Sequence, residues 1–224
     1  MPTLTQPVAV DEQEPRLGGR GPEPPARDEG DGGDRPDGAE ARDRLRRYRI
    51  GLVVGLVPII MLFVAFTSAY IVRQGLGGDW RSTSLPPLLW INTLILLASS
   101  VTAEFARRRL FQPEGHQAGS PPWLGITLLL GLGFLAGQLV VWRQLAAQGI
   151  FISTNPSSSF FYLLTGSHGA HLAGGVLAWL YAGATSLLRA PLARRRIVLD
   201  LAAWYWHFMD VLWLYILGLM YFAK

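Results

Sequence analysis

Long apolar stretches separated by short polar segments dominate the chain after residue 49. Each stretch is long enough for a helix to cross a bilayer, which takes about 20 residues. None shows the strict alternation of apolar and polar positions that is typical of a half-buried strand. The pattern predicts an all-α protein, a five-helix transmembrane bundle over residues 48–224. Its five spans cover roughly residues 50–72, 87–106, 122–145, 158–188 and 199–222.

The first 47 residues have a different composition. Residues 1–40 contain seven Pro and seven Gly, and residues 1–49 hold 11 of the 16 acidic residues. Such a segment buries too little apolar surface to offset the entropy lost on ordering. We therefore predict a disordered, acidic, Pro- and Gly-rich cytoplasmic tail over residues 1–47. Because no apolar segment lies near the N-terminus, we expect no cleavable signal peptide.

Arginines predict the orientation of the bundle. They cluster before the first span, after the second, and between the fourth and fifth, in residues 42–49, 107–109 and 189–196. By the positive-inside rule, the N-terminus is expected in the cytoplasm and the C-terminus outside. The bases lie between apolar runs and not on one soluble face, so nucleic-acid binding is not expected. The chain has no cysteine, which excludes disulfides and thiolate ligands.

Two pairs of ionisable residues lie within the last two spans. His168 and His171 are three residues apart in the fourth span, and His207 and Asp210 are three apart in the fifth. This spacing places each pair on one helix face. Ionisable groups inside a membrane are costly without a partner. We expect the two faces to meet, with Asp210 accepting a hydrogen bond from a histidine of the fourth span.

Small residues in the fourth span recur at four-residue steps. Gly166, Ala170, Gly174 and Ala178 would lie along one side of the helix. Such a series lets a second helix approach closely. The sequence therefore predicts a small-residue helix contact along this side.

The residues alone leave several functions open. Facing histidines are compatible with an independent membrane haem protein. His207 and Asp210 are compatible with a proton relay, although Glu104 is expected in an ion pair with the arginines after the second span. A serine protease needs a serine within reach of a histidine, and the adjacent Ser167 and His168 point to different faces. A scaffold or a transporter unrelated to respiration is a further possibility.

Three motifs resemble subunit III of haem–copper oxidases. WYWHFMDVLWLY (204–215) resembles the W-x-W-H-F-x-D-x-x-W signature of that subunit's final helix. TGSHGAHLAGG (165–175) resembles T-G-x-H-G-x-H of the preceding helix. PLLWINTLILLASSVTAEFA (87–106) is similar to its P-x-x-x-x-N-T-x-x-L-L-x-S-S helix. The resemblance covers about residues 50–222 and identifies the chain as a short, five-helix bacterial member of the family.

The resemblance implies a subunit of a proton-pumping cytochrome c oxidase in the bacterial plasma membrane. Such a subunit has no active site. It binds no haem or copper, which are held by partner subunits, and it packs directly against subunit I in a complex that includes subunit II. It supports subunit I structurally and in proton uptake during aerobic respiration, and it can bind structural phospholipid. The residues expected in an inter-helix polar cluster that packs the subunit are His168, His171, His207, Asp210, Asn92, Thr93, Trp206 and Trp213.

The sequence departs from the family pattern at two acidic positions. Ile59 and Val141 occupy positions where many members have a carboxylate, whereas Gln138 and Trp142 follow the pattern. Functions that depend on those two carboxylates are therefore not implied. Subunit III of a quinol oxidase and an accessory protein of a nitric oxide reductase remain alternatives within the family.

Overall fold

Within the described residues the fold consists of five helices and no strand. The computed structural model describes residues 36–76, 78, 80, 86–111, 122–188 and 190–222. The prediction of an all-α, five-helix protein is confirmed. The helices are α1 (Pro36–Leu76), α2 (Leu88–Phe111), α3 (Pro122–Ala147), α4 (Pro156–Leu187) and α5 (Leu192–Phe222).

The four helices after α1 form a ring. α2 packs on α3, α3 on α4, α4 on α5 and α5 on α2, whereas α1 lies outside the ring against α4 and α5. Only 11% of the residues in the most apolar part of α1 are buried by the rest of the protein. Most of the apolar surface of α1 therefore faces outward, as expected for a helix that contacts lipid or another subunit.

Local sequence signals set the helix ends near residue 150. The side-chain oxygen of Asn155 accepts a hydrogen bond from the Ser158 N–H at 2.9 Å, and the Ser158 hydroxyl accepts one from the Asn155 N–H at 3.2 Å. This reciprocal pair is a capping box that begins α4. After α3, Gly149 adopts a φ of 74° and the Ile150 N–H donates to the Leu145 carbonyl at 2.9 Å. That backbone reversal ends α3.

The first helix begins earlier than the sequence predicts. α1 starts at Pro36, so residues 36–47, which the sequence analysis assigned to the tail, are helical. The segment ARDRLRRYR (41–49) consists mainly of good helix formers, which lets the helix of the first span extend into it. The predicted disorder of residues 1–35 concerns a segment outside the described residues.

Four of the five helices are apolar enough to cross a membrane by length and composition. They are α2, α3, α5 and the part of α1 from Arg42 onwards. α4 is long enough and contains no charged residue, but its serines, threonines and histidines lower its hydropathy. Several of these polar side chains are buried against neighbouring helices, among them Ser158, Thr165 and His168. The polar face of α4 is therefore covered by protein.

Candidate functional site

A charged network joins three helices at one end of the bundle. The carboxylate of Asp200 in α5 is 0% exposed and accepts two hydrogen bonds from Arg49 of α1, at 2.7 and 2.8 Å. Arg107 of α2 donates to the same carboxylate at 3.3 Å and to Glu104 at 2.7 and 2.8 Å. Arg108 donates to Glu104 at 2.6 Å, which confirms the predicted ion pair. The network ties α1 and α2 to α5.

Sequence reasoning missed Asp200 and Arg49. Arg49 immediately precedes the first apolar stretch, and Asp200 lies at the start of the fifth. The predicted topology places both on the same side of the membrane. A carboxylate inside an apolar stretch is costly without a partner. An aspartate and an arginine at the same depth in the membrane could therefore have been predicted to form an ion pair.

His207 continues the network toward the middle of the bundle. Its Nδ1 lies 2.6 Å from Oγ of Ser100, and its Nε2 lies 3.7 Å from Oε2 of Glu104. These three residues line an open groove of about 460 Å³ beside α2, together with Leu97, Val101, Phe105 and Arg108. Glu104, His207 and Ser100 therefore form a continuous series of neighbouring polar side chains.

The Ser100–His207 contact does not form a hydrolase site. A serine nucleophile requires free donors for the oxyanion that develops during acyl transfer. Ser100 lies in the interior of α2, where backbone N–H groups are engaged within the helix. The pair weighed from the sequence, Ser167 and His168, does not form either, because neither ring nitrogen of His168 has a hydrogen-bond partner among the described residues. The Ser100–His207 contact is therefore a hydrogen bond between α2 and α5 and not a nucleophile–base pair.

Asp210 does not pair with a histidine. Its side chain is buried near the Ser100 hydroxyl, but among the described residues neither carboxylate oxygen makes a hydrogen bond of ordinary geometry. The predicted hydrogen bond to a histidine of α4 is wrong. The reason is the rotation of α5, which directs Trp213 toward His168 and the Tyr205 hydroxyl toward the His171 carbonyl.

We expect Asp210→Asn to leave the thermal stability of the purified protein unchanged or to raise it. An unpaired buried carboxylate carries a desolvation penalty, which the neutral amide reduces. The measurement is the midpoint of thermal unfolding in mild detergent, with Asp200→Asn as the matched control that removes a paired carboxylate. A decrease as large as that of the control would contradict the expectation.

His168 is enclosed by aromatic rings. It is fully buried, with its ring centroid 6.0 Å from Phe134 of α3 and 5.0 Å from Trp213 of α5. Neither ring nitrogen has a hydrogen-bond partner among the described residues. His168 therefore packs α3, α4 and α5 together by ring contacts and not by hydrogen bonds.

The other two membrane histidines face different helices. The ring of His171 lies 5.9 Å from that of Phe63 in α1, and His207 faces α2. This placement does not assemble the facing pair that a bis-histidine haem requires. No group of three His, Cys, Asp or Glu side chains within the described residues is arranged to hold a metal ion. The geometry does not favour a haem or metal site formed by these histidines.

Two tryptophans and an asparagine connect the helices by hydrogen bonds. The indole N–H of Trp206 donates to Ser99 at 2.9 Å, and that of Trp213 donates to Thr93 at 3.0 Å. Asn92 donates to a backbone carbonyl of α3 at 3.1 Å. These contacts fasten α5 and α3 to α2. Five of the eight residues predicted to form a polar cluster make side-chain hydrogen bonds to another helix, namely Asn92, Thr93, Trp206, Trp213 and His207.

The small-residue side of α4 meets no other helix closely among the described residues, so the small-residue contact stays a prediction. Ala170 and Gly174 are exposed. A Cβ built on Gly166 or Gly174 would lie 3.6 or 3.8 Å from its nearest neighbour, which is ordinary van der Waals distance. This side of α4 does not bring a second backbone into close contact.

Two glycines do lie very close to a side chain of another helix, the ring of Trp206. A Cβ built on Gly131 of α3 would lie 2.7 Å from that ring, and one built on Gly175 of α4 would lie 3.0 Å from it. The glycines make room for an indole and not for a helix backbone. The four-residue spacing does not identify these two glycines, because their partner Trp206 is distant along the chain.

Comparison with known proteins decides the family. The family model for cytochrome c oxidase subunit III matches residues 38–224. The chain belongs to the cytochrome c oxidase subunit III family. It is accordingly a subunit III of a haem–copper terminal oxidase, which confirms the interpretation of its motifs.

Three relatives show the extent of the similarity to subunit III. The probable cytochrome c oxidase subunit 3 of Mycobacterium leprae is 32% identical over 191 residues, which cover 81% of this chain and 91% of that protein. The Bacillus subtilis protein is 33% identical over 192 residues, covering 81% and 87%. The Corynebacterium diphtheriae protein is 31% identical over 200 residues, covering 84% and 94%.

At two positions this subunit III lacks the carboxylate that many family members have, and both positions have apolar surroundings. Val141 is 0% exposed within α3, and Ile59 is partly buried in α1 and packs against the core. Apolar side chains suit both places because an unpaired carboxylate there would be costly.

Proposed function

We propose that the chain is a non-catalytic subunit of a cytochrome c oxidase, binding no haem or copper and packing directly against subunit I in a complex that includes subunit II. The observation that carries the proposal is the family match over residues 38–224. The polar side chains support the proposal because they form hydrogen bonds between helices of the same chain. These are the indoles of Trp206 and Trp213 and the amide of Asn92. The names of the relatives support cytochrome c as the electron donor.

We propose that the subunit lies in a bacterial plasma membrane with its N-terminus in the cytoplasm and its C-terminus outside. Arg49, Arg107–Arg109 and Arg194–Arg196 lie at one end of the bundle, where Arg196 donates to the Leu110 carbonyl and Arg49 and Arg107 share Asp200. The positive-inside rule supports a cytoplasmic location for that end.

A role in proton uptake by subunit I is part of the proposal. Glu104, His207 and Ser100 form a line of polar groups that begins at the cytoplasmic end. Titratable side chains in such a line can exchange protons with water at the membrane surface. This arrangement supports proton handling near subunit I, without a complete path across the chain.

The opposite end of the molecule supports the binding of a structural phospholipid. An open groove of about 700 Å³ lies between the end of α1 and the start of α4. Its lining combines apolar residues with a cation and hydroxyl groups, among them Val72, Phe160, Arg73, Ser153 and Thr154. Apolar walls suit an acyl chain, and the polar groups suit a phosphate.

The proposed function predicts that the tagged chain, purified from its native membrane in mild detergent, carries a large subunit and haem with it. The measurement is protein identification of the co-purifying chains together with a reduced-minus-oxidised spectrum. Haem a bands are expected for a cytochrome c oxidase, whereas haem b and o bands would point to the quinol branch. A preparation with neither haem nor a large partner would contradict the proposal. The chain expressed alone serves as the control and is expected to show no haem bands.

A further inference from the structure

The arginine-bearing end of the bundle has a large excess of positive charge. Two carboxylates, Glu104 and Asp200, lie among seven arginines, which leaves a net charge of +5 in this group. We term this group the arginine end. Its arginines are Arg49, Arg107, Arg108, Arg109, Arg194, Arg195 and Arg196.

Four of these arginines are held in place by neutral groups. A hydroxyl, a carbonyl or an aromatic ring orients a guanidinium without cancelling its charge. Among the described residues no carboxylate pairs with any of the four, so their charge remains to be compensated. The contacts are Arg109 over the ring of Trp123 at 5.7 Å, Arg194 with the Tyr181 hydroxyl at 2.6 Å, Arg195 with the Ser186 hydroxyl at 3.3 Å, and Arg196 with the Leu110 carbonyl at 3.3 Å.

The same chain contains a segment of opposite charge. Residues 11–34 include eight acidic and three basic residues, a net charge of −5. One residue, Arg35, separates this segment from α1, which begins at Pro36. It precedes the part that matches the family model, which starts at residue 38, so family membership assigns it no role.

The acidic segment is long enough to reach the arginine end. The helical residues from Pro36 to Arg49 rise about 20 Å, at 1.5 Å per residue. A random coil of this length would span about 27 Å on average, and a fully extended chain would reach several times that distance. The segment is therefore tethered within reach of Arg109 in the last turn of α2 and Arg194 in the first turn of α5.

We propose that residues 11–34 dock on the arginine end of their own chain and exclude anionic lipid headgroups from it. The two charges are equal and opposite, and the tether raises the local concentration of the segment to about the millimolar range. The attraction is electrostatic, so it weakens as salt shortens the distance over which charges interact. Anionic headgroups are the rival occupant, and the test sets them in direct competition with the segment.

The chain offers a selective test because its one lysine is Lys224. A carbodiimide joins lysine amines to carboxylates in direct contact and does not act on arginine. Arg109→Lys and Arg194→Lys would each place one amine at the arginine end. Arg143→Lys, at the opposite end of α3, is the matched control. Arg108→Lys is the positive control, because Arg108 already contacts Glu104 at 2.6 Å.

The experiment uses the intact oxidase complex in nanodiscs that contain phosphatidylglycerol as the competing anionic lipid. Cross-linked peptides are identified by mass spectrometry, with light and heavy isotope-labelled chains mixed so that links within a chain are distinguished from links between chains. We expect the tail to be linked at Arg109→Lys and Arg194→Lys at least about fivefold more than at Arg143→Lys, because only the former lie where the tethered segment concentrates. Changing Arg194, Arg195 and Arg196 to glutamine, with Arg109→Lys retained, should lower the yield.

Three results would overturn the proposal. The first is no tail link at Arg109→Lys or Arg194→Lys while the Glu104 link at Arg108→Lys forms, since lipid or another subunit would then cover this end. The second is an equal yield at Arg143→Lys, which would mean unspecific contact. The third is links only between light and heavy chains. None of these three results would change the assignment of the chain to the subunit III family.

Discussion

Replacing Asp200 with asparagine is expected to lower the free energy of unfolding by about 3 kcal/mol. The carboxylate is 0% exposed and accepts hydrogen bonds from Arg49 and Arg107. Asparagine has nearly the same shape, but it leaves both guanidinium groups without their shared counter-charge. We expect the low end of the range for a buried pair, because the side chain of Arg49 is 39% exposed and partly screened by solvent.

We expect the loss of stability to be specific to the charged network around Asp200. It should weaken the packing of α1 before that of the other helices. Unfolding is followed by circular dichroism of the purified protein in mild detergent, with Asp43→Asn, an exposed position on α1, as the control expected to change nothing. Because Arg49 and Asp200 act as a pair, the double variant Arg49→Gln with Asp200→Asn should lose less than the sum of the two single variants. Additive losses would show that the pair does not hold α1 to the bundle.

Replacing Gly131 with alanine is expected to lower the free energy of unfolding by about 2 kcal/mol, a typical cost of overpacking. The new Cβ would lie 2.7 Å from Cη2 and 2.9 Å from Cζ2 of Trp206. That ring cannot move aside easily, because it is 0% exposed and its N–H donates to Ser99 at 2.9 Å. We expect this loss even though alanine is intrinsically more favourable than glycine in a helix by about 1 kcal/mol.

Gly133 provides the matched control on the same helix. A Cβ at this position would meet only Ile95 at 3.9 Å, an ordinary contact. Gly133→Ala should therefore leave stability unchanged or raise it by up to about 1 kcal/mol. Trp206→Phe, which shortens the ring, should recover part of the loss when combined with Gly131→Ala. Equal effects of the two alanine variants would mean that helix preference, and not the fit of the indole, decides stability here.

The two predicted effects share a cause in how α5 is rotated. Trp206, which touches Gly131, and Asp200, which binds Arg49, both lie on sides of α5 that neighbouring helices cover. Neither contact appears in the sequence as a spacing rule, since the partners are far apart along the chain. The apolar stretch around Asp200 indicated only that a buried carboxylate needs a partner.

The motifs located the polar residues correctly but not their partners. Trp213 and Asp210 are three residues apart on α5 and were assigned to one polar cluster. In the structure Trp213 packs on His168, whereas Asp210 has no hydrogen-bond partner among the described residues. An i,i+3 spacing states that two side chains share a face, but not which neighbour that face meets.

The sequence by itself determined the helical class, the number of helices and the family. These follow from the length of apolar stretches, which is a local property because a helix satisfies its own backbone within the segment, and from motifs that occupy consecutive residues. Only the tertiary structure decided that α1 packs outside the ring, that Asp200 joins α1 and α2, and that Gly131 and Gly175 accommodate an indole. Those features depend on the rotation and depth of each helix, which result from the simultaneous packing of large side chains from several helices.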